Sequence, residues 1–315
     1  AMVLVVLSVM GGFLDTIRAR SRGLHSEIVL EGGSLQGFPY YEEFAAYLSS
    51  ELPDVVRIST PVIYTYGIFR VPVTTFTKPA RVLGVRLKDY VQVNDFKTGL
   101  YYERYFPGTT DLGPQGIPVA GFTLHGEIKL PPQLATANSQ WRQGETDPDA
   151  VAEFDQMPFE KALYPNVTAV LPGQRVFAVT SGEPTYIGPE RNRIIVGCDL
   201  LHYRRTDGKF DRSIARGADI ALILFPLSPT GNLTSEPPVK MPLRYADDSR
   251  TGIYEIDSLC VYVDHDLLQQ QMAMDAQPLV DGGFTKPRIN QLLIGLQPGF
   301  ELNIARDRIA AAWSK

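Results

Sequence analysis

The residues that could run chemistry in this chain are few: four histidines, two cysteines and some close pairs of acids. His25 and His125 lie in the runs LHSE and LHGE, and neither run supplies a second ligand at a metal-binding spacing. His202 stands alone, and His265 is flanked by Asp264 and Asp266. On a strand those three neighbours would alternate between faces and could not converge on one ion. Cys198 and Cys260 sit in apolar settings, RIIVGCDLL and IDSLCVYVD, which suits two buried free thiols better than a bridge. Paired acids occur at Asp147 and Asp149 and at Asp247 and Asp248, but glycosidase chemistry needs two carboxylates at a set separation that spacing alone does not give.

The nucleotide and nucleophile motifs are missing. SVMGGFLD lacks the order of a dinucleotide-binding glycine loop, and no phosphate-cradling GxxxxGK[ST] occurs. There is no GxSxG elbow, HExxH, CxxC or EF-hand loop. The expectation is no catalytic residue, no cofactor and no metal ligand set; an enzyme assembled from dispersed residues is kept as an alternative. The charge balance, 30 basic against 35 acidic residues, provides no basic stripe for nucleic acid. Arg18, Arg20 and Arg22, and later Arg191, Arg193, Arg204 and Arg205, are small groups mixed with acids and apolar residues.

The elements that would position such residues alternate between strand and helix at both ends of the chain. Alternation over 24–30 predicts a strand, and glycines at 32, 33 and 37 break it. An amphipathic helix follows over 40–52, packed through Tyr40, Phe44, Tyr47 and Leu48 and stopped by Pro53. Strands are expected at 55–63, 66–73 and 80–85. Residues 98–165 carry few periodic runs and read as an irregular excursion. Strand character returns within 166–203, at 217–227 and over 239–263, clearest from Ile256 to Val263. A helix over 266–276, a strand over 289–296 and a helix over 301–313 complete the chain, the last with Leu302, Ile304, Ala305, Ile309 and Trp313 on or near one face.

The opening run AMVLVVLSVMGGFL has one polar side chain before Asp15 and is too short to span a bilayer by itself. Met10, Phe13, Leu14, Ile17 and Leu24 then approximate a helical stripe opposite Asp15, Arg18, Arg20 and Arg22. The expectation is that residues 1–22 are the end of a membrane helix and its amphipathic extension, and that a second membrane segment follows residue 315.

Two stretches carry a family likeness. LVVLSVMGGFLDTIRARSRGLHSEIVL, residues 4–30, resembles the end of the first membrane helix and the first strand of lipoprotein-releasing ABC transporter permeases of the LolC/LolE type. Ser8, Val9, Met10, Gly12, Phe13, Leu24 and His25 carry it, with Gly11 standing where that family has asparagine. RTGIYEIDSLCVYVDHDLLQQ, residues 250–270, is similar to the segment that leads from a glycine turn into the last strand and helix of the family's central region, through Gly252, Tyr254, Glu255, Asp257, Ser258, Tyr262 and Val263. These positions are expected to be structural or coupling residues rather than catalytic ones.

The resemblance, to the wider MacB-like and FtsX-like class, implies an α+β fold. A porter-like α/β subdomain would be built by both ends of the chain, residues 23–95 and 264–315, with a mostly-β subdomain inserted over 96–263. It implies the periplasmic part of a permease in the bacterial inner membrane. Such a domain would couple the motion of ATPase-driven membrane helices to export or release of a lipoprotein or another envelope substrate. The implied partners are a cytoplasmic ATPase subunit, a second permease subunit, the membrane itself, and a lipoprotein or periplasmic protein. A binding or scaffolding ectodomain of another membrane protein is the alternative outside transport.

Overall fold

The computed structural model describes residues 26–72, 75–105, 107–108, 110–114, 121–122, 128–129, 177–180, 183–186, 191–204, 206, 210–211, 218–225, 237–279 and 282–314. The expected membrane-helix end over 1–22, together with Ser8, Val9, Met10, Gly12, Phe13, Leu24 and His25, lies outside the described residues, as does His125.

The elements in chain order begin with strand β1 (Ile28–Glu31), helix α1 (Tyr41–Glu51), and strands β2 (Val56–Arg70) and β3 (Thr77–Val85). Helix α2 (Leu87–Val93), a 3-10 turn (Phe96–Gly99) and the short helix α3 (Tyr101–Tyr105) follow. Two hairpins come next, β4 (Gly121–Phe122) with β5 (Ile128–Lys129), and β6 (Phe177–Thr180) with β7 (Glu183–Tyr186). Strand β8 (Arg193–Gly197) runs into α4 (Cys198–Leu201), and β9 (Tyr203–Arg204) pairs with β10 (Phe210–Asp211). The chain closes with β11 (Asp219–Leu224), β12 (Val239–Ser249), α5 (Tyr254–Asp257), β13 (Cys260–Asp264), α6 (His265–Gln271), β14 (Gln291–Leu296) and α7 (Leu302–Trp313).

Eight strands form one mixed sheet in the order β1-β14-β2-β11-β12-β8-β13-β3, and β3 also pairs with β2. That last pairing closes β2, β11, β12, β8, β13 and β3 into a ring, with β14 and β1 as a side branch. The ring is staggered. On one edge of β2, Val62 faces Val85 of β3, while the circuit returns to β2 through Ala221 of β11 opposite Arg70. Closure of a small ring demands such a stagger, because strands must tilt to curve. β1 is the one strand of this sheet left with an unpaired edge among the described residues.

β2 is long because it serves several partners. Its first half pairs with β14 (Val56 to Val62), its last residues with β11 (Gly67 to Arg70), and its other edge with β3 from Val62 to Arg70. The sequence suggests two strands with a break near residue 65; the chain runs straight through, since either half alone would leave backbone groups unpaired. Residues from the expected insert, in β8, β11, β12 and β13, are hydrogen-bonded into the same sheet as the end segments β1, β2, β3 and β14. The described residues thus show no break in the sheet at residue 95 or 263. Within the stretch expected to be irregular, residues 101–105 are helical.

Alternate side chains of this sheet enter two cores. The larger holds Ile63 and Phe69, Val82, Ile194 and Val196, Ile220 and Leu222, Leu243 and Tyr245, Val261 and Val263, and is capped by Tyr41, Phe44 and Leu48 of α1 and by Ala305 and Ile309 of α7. The smaller lies on the other face, where Tyr90, Val93 and Phe96 cover Val62, Val85, Ile195, Cys260, Tyr262 and Leu293. In α1 it is Tyr41, not the expected Tyr40, that packs inward. Tyr40 precedes the helix with φ 65°, which turns its ring out to solvent. In α7 the stripe of Ala305 and Ile309 is buried, whereas Leu302 and Ile304 in the first turn are exposed. The helix expected over 266–276 ends sooner, at Gln271, because Ala273 takes a positive φ of 50°.

Asn290 ties the sheet to the first loop. It is fully buried; its Oδ1 accepts from Tyr64 N–H at 2.8 Å and its Nδ2 donates to the Leu35 carbonyl at 2.8 Å. Asn290→Ala leaves both partners without their bond, and each buried group so stranded costs about 1–3 kcal/mol. The expected outcome is a lowered urea midpoint with an unchanged slope, measured by far-UV circular dichroism.

Candidate functional site

The densest set of buried polar groups gathers where β8 and β12 run side by side and in parallel, pairing from Arg193–Arg244 to Gly197–Ser249. β8 there passes into Cys198 and Asp199 of α4, and β12 into the turn that leads to α5. Asp247, Asp248, Ser249 and Asp257 are all at most 1% exposed. A carboxylate so removed from water is stable only when donors surround it.

Among the described residues Asp247 accepts from four donors. Its Oδ1 accepts from the N–H groups of Tyr102 (2.7 Å) and Asp248 (2.8 Å), and its Oδ2 from Glu103 N–H (2.9 Å) and the Thr110 hydroxyl (2.6 Å). It thereby caps α3, whose first N–H groups have no partner within the helix. Glu103 continues the chain of bonds, accepting from Gly108 N–H and Thr110 N–H. Asp248 accepts from the Tyr245 hydroxyl at 2.9 Å, and that oxygen lies 3.0 Å from His202 Nε2. Because the tyrosine proton is given to Asp248, the imidazole is the donor in the second contact.

Asp257 holds the turn before it. The Thr251 N–H and hydroxyl each donate to its Oδ1 at 2.7 Å, and Gly252 N–H donates to Oδ2 at 2.9 Å. Gly252 has φ 77°, a conformation that favours glycine. Gly197 is required for space: a Cβ there would sit 2.4 Å from the Asp257 carbonyl oxygen. The outcome is a rigid turn that presents Tyr254, 69% exposed, and Glu255 to solvent.

The positions singled out in 250–270 therefore divide. Gly252 and Asp257 are bonded to one another, and Ser258 closes α5 with its N–H on the Tyr254 carbonyl at 2.8 Å. Tyr262 and Val263 point to opposite cores, Tyr262 meeting the Phe96 ring at 4.5 Å in a tilted contact and Val263 entering the larger core. The alternation from Ile256 suggests a strand through Asp257, but residues 254–257 form a helical turn and the strand starts at Cys260. Spacing alone missed Gly197, Asp199, Thr251 and Tyr245; of these, only a glycine beside an apolar strand end offered any signal.

Cys198, Asp199 and Asp257 place one ligand atom each within 4.8 Å of one another. Both Asp257 oxygens are already engaged, and burial, reinforced by Asp257, Asp248 and Asp199, pushes the Cys198 thiol far up and keeps it protonated. Cys260 is raised to about 11 by burial. Both cysteines are free and buried.

The Asp264-His265-Asp266 triplet does not lie along a strand. Asp264 ends β13 and caps α6, accepting from Leu267 N–H at 2.9 Å, and Asp266 turns back so that its Oδ1 lies 2.8 Å from His265 Nδ1. That contact, followed by burial in the opposite sense and then the charges of His265 and Arg86, holds the Asp266 carboxyl below its usual range. The imidazole is fully buried, its Nε2 has no hydrogen-bond partner among the described residues, and its ring meets Tyr41 edge-on at 6.4 Å. The three side chains do not converge on one point.

No protein family description matches the sequence, and no curated protein matches it. Among solved structures, the periplasmic region of MacB from Actinobacillus actinomycetemcomitans is similar at a TM-score of 0.37 and 10% identity, over 91% of this chain and 81% of that one. This is a distant and partial likeness. No helix among the described residues is long and apolar enough to cross a membrane.

Two outcomes follow from the buried groups. Burial outweighs the donors around Asp257 and raises its carboxyl above the usual value. A raised folded-state value means that the stability linked to Asp257 is fully present below the ordinary carboxylate range and is lost as pH rises through the raised one. Urea titrations across that window should show the loss in the parent and not in Asp257→Asn. Iodoacetamide at pH 8 should label neither cysteine of the folded protein and both after unfolding, read by mass spectrometry.

Proposed function

We propose that this chain is a non-catalytic extracytoplasmic domain of an ABC transporter permease, which passes the motion of membrane helices to a lipoprotein or another envelope substrate. The observation that carries the non-catalytic part is the state of the buried acids. Asp247 and Asp257 are buried and accept from donors of their own fold, and Tyr245, His202 and Asp248 are bonded to one another away from solvent. An acid or base at work needs a free lone pair or proton within reach of a substrate.

The two sequence stretches that resemble lipoprotein-releasing permeases support the transport reading. β1 starts beside the end of β14, where Ser26 Oγ accepts from Ile294 N–H. α7 finishes beside the other end, with Trp313 against Phe38, which bridges to Ile289. Residues 23–95 and 264–315 would form the porter-like part, with 96–263 inserted and contributing strands to the shared sheet. The domain would lie on the periplasmic side of the inner membrane and work with a second permease subunit and a cytoplasmic ATPase.

The test is purification of the full-length gene product from membranes through an affinity tag. A separate nucleotide-binding subunit should co-purify in stoichiometric amount, and the complex should hydrolyse ATP while the 315-residue chain alone does not. A full-length protein that purifies without any ATPase subunit overturns the transport reading and leaves a binding or scaffolding ectodomain.

A further inference from the structure

The turn between β12 and α5 is closed by one side chain. Asp257 takes the Thr251 N–H and hydroxyl on Oδ1 and the Gly252 N–H on Oδ2, and Thr251 Oγ1 in turn accepts from Ile253 N–H at 3.2 Å. Three consecutive residues, 251–253, therefore hang on that carboxyl, and the exposed Tyr254 follows them. The main chain of Asp257 is fixed as well, its N–H on the Ile253 carbonyl at 2.9 Å and its own carbonyl close against Gly197.

The same carboxyl has acid neighbours. One oxygen of Asp257, one of Asp199 and the Cys198 Sγ all lie within 4.8 Å of one another. Asp199 is half-buried, and Asp257 has no exposed surface. Two carboxyl groups this close, one of them without water, hold one negative charge more readily than two. The other ionisable groups around Asp257 are Cys260 and Tyr262 of β13, with Asp248 and Arg250 beyond Cys198. Burial is the largest influence on Asp257 and raises its carboxyl; the bonds from Thr251 and Gly252 lower it, the Asp199 charge raises it, and the balance is upward. Oδ2 carries a single donor among the described residues, which leaves a lone pair for the proton.

We infer that the Asp199–Asp257 pair is a proton-dependent latch on the turn at residues 251–254. With a proton on Asp257 the turn is closed. Loss of that proton puts a second charge beside Asp199 in a buried setting, and opening of the turn to water relieves it and frees Tyr254. The sheet need not move, because the Asp257 side chain bonds only to the turn while β8, β12 and β13 are paired through their own backbones. A group whose value is higher in the closed state favours closure below that value, and the preference is lost as pH rises through it.

The test is amide hydrogen exchange followed by NMR across the carboxylate range and above it, with each rate corrected for base catalysis of the free amide. Protection of the Thr251 and Gly252 N–H groups should fall as pH rises, by up to about tenfold for each pH unit that separates the Asp257 values of the open and closed turn. The Tyr64 N–H, bonded to Asn290 within the sheet, should keep its protection. Asp199→Asn removes the neighbouring charge, so the fall should be smaller and end at lower pH, with circular dichroism unchanged. Asp257→Asn should abolish it; should that variant fail to fold, Asp199→Asn decides the matter. Protection of the turn that is indifferent to pH in the parent, or a fall of the same size and position in Asp199→Asn, overturns the proposal. So does a fall shared equally by Tyr64, which marks unfolding of the whole domain rather than opening of one turn.

Discussion

The length of β2 is the constraint on which the rest of this fold depends. Fifteen residues are enough for one strand to carry β14 on its first half, β11 on its last residues, and β3 on the opposite edge from Val62 to Arg70. Shorten it, and either the ring opens between β2 and β11 or the side branch of β14 and β1 loses its support. The branch matters because α1 and α7 close the larger core over it. Phe44 and Leu48, with Ala305 and Ile309, share that core with Leu292 and Ile294 of β14. Interiors of this density respond to displacement as a body rather than by local yielding.

Buried charge does a second kind of work. Carboxylates at positions 247 and 257 accept mainly from backbone N–H groups, and so fix segments that have no regular partners of their own: the start of α3 and the turn at residues 251–253. Around Asp247 four short bonds offset the cost of dehydration, whereas at Asp257 burial outweighs its donors. Removal of one such group strands its donors as well, which makes these sites intolerant of conservative change. The glycine at 197 belongs to the same device, since it lets the Asp257 backbone approach closer than any side chain would permit.

Much of the strand and helix order was legible in the sequence, for reasons that can be assigned residue by residue. The spacing of Phe44 and Leu48 gives α1, and the apolar run at 291–296 gives β14. α2 was missed because its seven residues contain only Tyr90 and Val93 as inward positions, too few for a period to emerge. The strand pattern misled at 256–257, where apolar and polar residues alternate but belong to a helical turn. The polar cluster was scarcely legible. Asp247 and Asp248 drew notice only as adjacent acids, and the donors that define the site are largely main-chain N–H groups, which every residue but proline carries. Nor does local spacing reveal that a tyrosine at 245, a histidine at 202 and an acid at 248 meet. Only the parallel pairing of β8 with β12 brings the first and third beside the second.

The closed ring also dictates when the chain can fold. Its six strands come from residues 56–85, 193–224 and 239–264, and two of its pairings, β12 with β8 and β13 with β3, are parallel. β3 waits for β13, more than 170 residues downstream, and β1 waits for β14 for longer still. Contacts so remote along the chain close slowly and cannot form until late in synthesis. Until residue 296 has emerged, β1 has no neighbour to bond, and the first strand made is among the last to be secured.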